Sequence, residues 1–93
     1  MDYGMSFEFD EYVELDNCVC WYFIGDKAII NELFPNKYPE AAFTTLSIEK
    51  YSEDDWQVEI SPTMEEDDCY TDYDWSPIDL PMSTIKELIA KGK

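Results

Sequence analysis

Histidine and arginine are both missing from this 93-residue sequence, and its six bases are all lysines, at 27, 37, 50, 86, 91 and 93. Without histidine, the commonest general base and pH switch is lost. Without arginine, no bidentate fork can grip a phosphate or carboxylate. Glycine occurs only at 4, 25 and 92, too sparsely for a phosphate-cradling loop. No apolar run approaches membrane-spanning length, and no basic stretch leading into an apolar one opens the chain. Three cysteines, Cys18, Cys20 and Cys69, make an odd count. A Cys-x-Cys pair without histidine does not compose a tetrahedral zinc site, and residues two apart in a strand are poorly placed to bridge. These absences argue for a non-enzymatic protein with no cofactor and no metal, away from membranes. The thiols are expected to be free in a reducing cytoplasm, with Cys18 and Cys20 as small buried hydrophobes beside Trp21, Tyr22 and Phe23.

Acid is what the chain has in excess. Twenty-two Asp and Glu against six lysines give a formal net charge of -16. Apolar residues make up 45% of the chain, enough to fold it as one small domain despite that charge. A compact state so charged repels itself, and a cationic partner is the obvious reason to carry it. Direct binding to nucleic acid is excluded in practice, because phosphates are repelled. The acids are unevenly spread. Residues 1–25 hold six and no base; residues 53–79 hold eleven and no base; residues 26–52 are nearly balanced; residues 80–93 net +2.

Hydrophobic periodicity places the elements. From Ser6 to Leu15, Phe7, Phe9, Val13 and Leu15 alternate with Glu8, Asp10, Tyr12 and Glu14, the pattern of a half-buried strand. Glu11 falls on the apolar side, which signals a bulge or an edge. Asp16-Asn17 suits a two-residue turn with left-handed backbone. Cys18–Ile24 is apolar on both faces and reads as a central strand, with Trp21, Tyr22 and Phe23 in the core. Asp26 caps a short helix carrying Ile29, Ile30, Leu33 and Phe34, and Pro35 ends it. Residues 36–42 form a loop with one helical turn after Pro39. Phe43–Tyr51 and Trp56–Ser61 make a second hairpin, stopped by Pro62. Residues 62–80 read as an irregular acidic and aromatic loop. A final helix spans 83–91, with Thr84 and Glu87 at capping-box spacing and Gly92 at its end. The order β-β-α-β-β-α implies an α+β fold: a mostly antiparallel sheet of about four strands, with two helices on one face.

The segment Met64–Asp79 calls for a function. It carries Glu65, Glu66, Asp67, Asp68, Asp72, Asp74 and Asp79, interleaved with Tyr70, Tyr73 and Trp75. Solvating acidic tails are poor in aromatics, whereas aromatics among carboxylates suit contact with a basic protein. Glu65, Glu66, Asp67, Asp68, Tyr70, Asp72, Tyr73 and Asp74 are the first candidates for such contact, and the carboxylates Glu8, Asp10 and Glu14 of the first strand the second. Trp75, before Ser76-Pro77, is the candidate anchor of the loop. Read as a calcium loop from Asp68, the segment has Tyr70 at position three, Tyr73 where glycine is required and Asp79 instead of glutamate at twelve. Adjacent acids of a glycosidase type need a shaped cleft that a chain this small barely affords.

In size and charge the chain resembles acidic DNA-mimic inhibitors, the anti-CRISPR and anti-restriction proteins of phages and mobile elements. No motif assigns it to one family of them. That resemblance implies a partner with a basic nucleic-acid-binding surface, a nuclease or defence effector. An immunity protein that neutralises a nuclease toxin would use the same surface. A calcium-responsive or structural interaction module is the alternative of a different class.

Overall fold

Phe7–Glu14, Val19–Asp26 and Phe43–Ser52 alternate side chains strongly enough to pair as the first three strands, β1 to β3. The computed structural model describes residues 6–66, 69–72 and 74–92, with 65, 66 and 69–72 described by backbone alone. Helix α1 (Lys27–Leu33) follows β2, and after β3 come β4 (Asp55–Glu66), β5 (Cys69–Asp72), β6 (Ser76–Pro77) and helix α2 (Met82–Lys91). The fold is α+β, with an antiparallel sheet in the order β1-β2-β3-β4-β5 and the two-residue β6 paired beside β5 on β4. Five strands form its path where four were expected.

One face of the sheet carries the core. Phe7, Trp21, Phe23, Leu46, Ile48, Val58 and Ile60 pack there against Ile29 and Ile30 of α1 and Ile85 and Leu88 of α2. Each such side chain contributes about 1.5–3 kcal/mol by leaving water. Trp21 stacks on half-buried Trp56, with ring centroids 6.2 Å apart. Asp26 caps α1 as expected, its Oδ1 accepting from Ala28 N at 2.8 Å. The Thr44 hydroxyl ties the helix to β3, donating to Asp26 O at 2.9 Å and accepting from Ile30 N at 3.1 Å. Gly25, at the end of β2, lies where α1 crosses closest. A Cβ there would sit 2.7 Å from Ile29 Cδ1 and 2.8 Å from the buried ring of Phe7. Gly25→Val is therefore expected to cost about 1–3 kcal/mol, read as a shifted urea midpoint. An unshifted midpoint would show that helix and strand separate freely.

Several expectations are corrected. The bulge lies at Asp10: Phe9 pairs with Phe23, and the next pair is Glu11 with Tyr22. Beyond it the faces exchange, so Val13 shares a face with Cys20 and Tyr22, while Tyr12 packs on Trp21 on the helix side. Glu8, Asp10 and Glu14 consequently do not form one row. Asp16-Asn17 does make the β1–β2 turn, closed by Leu15 N donating to Cys18 O at 2.9 Å. Neither residue adopts positive φ; among the described non-glycine residues only Asn36 does, at 63°. After Pro39 there is no helix but a turn in which Ala41 N donates to Tyr38 O. β2 is an inner strand as expected, paired with β1 and β3, but Tyr22 faces away from the core and lines the opposite side.

The largest correction concerns residues 62–80. β4 runs through Pro62 to Glu66 and turns back into β5, so half the expected loop is a hairpin. Pro62 is tolerated because alternate residues bond to opposite sides. Thr63 O accepts from Ala42 N on the β3 side, and Val58 O accepts from Ile78 N on the other. By that parity Pro62 faces the outer side, in the gap between the β6 pair Ile60–Ser76 and the β5 pair Thr63–Asp72, where no N–H is required. α2 begins at Met82 with Pro81 as its N-cap and no side-chain cap bond, so the Thr84–Glu87 capping box does not form. Gly92 ends it as expected. Among the described residues no helix is long and apolar enough to cross a membrane.

Candidate functional site

Both helices pack on one face of the sheet, and the opposite face holds a trough. Its floor is made of short side chains on two inner strands, Thr45 and Ser47 of β3 and Thr63 of β4, all buried. The hydroxyls of Thr45 and Thr63 bond to each other across the strands. Taller side chains on either side raise the rim. Val13 and Glu11 of β1 and Tyr22 and Ile24 of β2 form one wall; Glu59 and Trp75 form the other. The trough between them encloses about 890 Å³.

Its chemistry is acidic and aromatic. Asp10, Glu11, Glu49 and Glu59 supply carboxylates, Tyr22, Phe43 and Trp75 supply rings, and among the described residues no base lines it. Burial pushes the Glu59 carboxyl upward, and a hydrogen bond with Glu49 and that group's charge push it further. Two carboxyls thus face each other with no cation between them. Glu49 also accepts from Tyr51 OH at 3.1 Å, a bond that, with burial, raises the phenol to about 12. Burial likewise raises Tyr22, helped by Cys20 and Glu49.

Three of the lysines are engaged elsewhere. Among the described residues a single ion pair forms, Lys50 to Glu53 at 3.0 Å. Lys50 also lies over the Trp56 ring on the helix side. Lys37 sits over Phe34 and Tyr38, and Lys91 donates to Phe7 O. The carboxylates of the trough therefore stay without local cations among the described residues.

The expected site residues are distributed rather than gathered. β1 and β5 are opposite edges of the sheet, so the two acidic segments flank the trough face instead of sharing one side. Glu8 and Glu14 are exposed on β1, opposite Ile24 and Val19, and exposed Asp10 reaches the trough at the bulge. Asp74 is exposed next to Trp75, which is 38% exposed and stands on the rim. The segment around it is held by β6, through backbone pairing with β4. Glu65 lies opposite Tyr70, Glu66 opposite Cys69 and Asp72 opposite Thr63 in the β4–β5 register. Asp67, Asp68 and Tyr73 lie outside the described residues. Sequence reasoning missed Glu49, Glu59 and the groove-facing Glu11 and Tyr22. Their one signal was the polar alternation Thr45-x-Ser47-x-Glu49 answered by Gln57-x-Glu59-x-Ser61 on the next strand. Comparison with known protein families, curated proteins and solved structures finds no match.

Proposed function

We propose that this protein is a small acidic inhibitor that binds the basic nucleic-acid-binding surface of another protein, in the manner of a DNA mimic. The observation that carries this reading is the trough opposite the helices, where four carboxylates and three aromatic rings meet no base among the described residues. Carboxylates held on a rigid sheet present negative charge to lysines and arginines that otherwise hold phosphates. The exposed acids of β1 extend that field along one edge of the sheet. The rings add the desolvated area that limits dissociation. In this reading the protein is no enzyme and works in the cytoplasm with reduced thiols, on a nuclease or defence effector of the kind that anti-CRISPR and anti-restriction proteins block. Free Cys18 and Cys20 agree with that setting.

The test has two arms. A protein captured on the immobilised chain should be released by competing duplex DNA or RNA, in a salt-dependent manner. The isolated chain should not shift naked DNA or RNA in a gel. A captured protein that binds the chain and nucleic acid simultaneously, or a gel shift by the chain alone, would sink the proposal.

A further inference from the structure

Beside the trough the sheet register assembles a cluster from residues about thirty positions apart in the chain. Cys20 of β2 stands directly opposite Glu49 of β3, and Cys18 precedes it by two residues on the same face. The two sulfurs are 4.0 Å apart, and Cys20 Sγ is 3.9 Å from Glu49 Oε2. All three ligand atoms lie within 4.8 Å of one another. Both thiols are buried and free, and Glu49 is half-buried.

We infer that Cys18, Cys20 and Glu49 form a binding site for a thiophilic divalent cation, zinc foremost. A tetrahedral zinc holds each sulfur at about 2.3 Å, which sets two cysteine sulfurs about 3.8 Å apart. The observed 4.0 Å requires almost no movement. Two thiolates and one carboxylate also match the three-protein-ligand pattern in which water or an incoming group takes the fourth position. Soft sulfur donors select zinc over the calcium or magnesium that exposed carboxylates attract. Tyr51 supports the site from outside by donating to Glu49 Oε2, orienting that carboxylate as outer partners of metal ligands do. Cys18 lines a shallow hollow of about 360 Å³ with Asn17, Lys50 and Tyr51, and Glu49 lines the trough. On binding, each thiol releases its proton to solvent as its sulfur takes up the metal. No oxidation is involved. The site does not depend on the proposed inhibitor role, since it needs no partner.

The experiment uses the whole reduced chain, stripped of metal by a chelator and then dialysed free of it. Native mass spectrometry should find one zinc per chain, and zinc should raise the melting temperature. Cobalt(II) as a probe should give a near-ultraviolet thiolate-to-metal charge-transfer band. Cys18→Ser and Cys20→Ser should each weaken the band and lower zinc affinity by about a hundredfold or more, above the roughly 10–100-fold loss typical of outer partners, and the double variant should abolish the band. Glu49→Gln should weaken it, and Tyr51→Phe should weaken it about tenfold. Cys69→Ser should leave it intact. In the unsubstituted chain, where no variant can misfold, zinc should slow alkylation of Cys18 and Cys20. Uptake of several ions without a charge-transfer band, a band that survives loss of both Cys18 and Cys20, or unprotected thiols would each overturn the site.

Discussion

Replacing Phe23 by alanine is expected to destabilise the domain by about 3–5 kcal/mol, against the roughly 5–10 kcal/mol that a chain of this size holds in total. The ring is fully buried, edge-on to Phe9 at 5.9 Å, and lies between β1 and β3 through its register with Phe9 and Leu46. Its truncation opens a cavity at the centre of the core face, where neighbours on both strands are fixed by backbone pairing and cannot close in. The self-repulsion of a chain with net charge -16 leaves little margin to absorb the loss. The variant should therefore melt far below the parent in urea at low salt, and partly regain its midpoint as salt screens the acids. A midpoint within about 1 kcal/mol of the parent would mean that the core is looser than this packing implies.

The second large effect is kinetic and concerns the trough. With a partner in hand, Glu11→Gln combined with Glu59→Gln is expected to slow association about tenfold or more at low salt, within the range over which steering raises on-rates. The difference should shrink as salt approaches about 1 M, where screening reaches only about 3 Å. The domain should not suffer. The folded state raises the Glu59 pKa through burial and through Glu49, so above the unfolded pKa its charge opposes folding. A neutral amide removes that opposition, and the melting temperature should hold or rise. Tyr22→Ala or Trp75→Ala should act differently, speeding dissociation while leaving association nearly unchanged. If the trough variants bind as the parent does while joint neutralisation of Glu65, Glu66, Asp67 and Asp68 slows binding, contact is made at the β4–β5 hairpin instead.

What could be read from the chain was whatever local chemistry decides. Asp26, Ile29, Ile30, Leu33 and Pro35 announce α1 within ten residues, because cap, stripe and breaker all act over one or two turns. The β4–β5 hairpin was hidden for the converse reason. Pro62 and a string of acids oppose strand formation locally, and only the parity of bonding to neighbouring strands makes Pro62 harmless there. Glu11 flagged the bulge, yet the position of the extra residue, at Asp10, decides whether Tyr12 or Val13 turns to the core. The run around Tyr22 is apolar on both sides and so points that ring inward by pattern alone, although one of those sides is the wall of a trough. Glu49 and Glu59 are ten residues apart in the chain and meet only through strand pairing, a tertiary fact that no window of sequence contains.

The bulge in β1 has a further consequence, for behaviour at high concentration. β1 is an edge strand, and an edge with a regular row of free amides and carbonyls is a template on which another chain can add a strand and begin to aggregate. At Asp10 the regular spacing of those groups is broken. Exposed carboxylates at Glu8, Asp10, Glu11 and Glu14 then set like charge against any second copy that approaches in register. The same irregularity that turns Glu11 into the trough thus guards the sheet against growing sideways into fibrils.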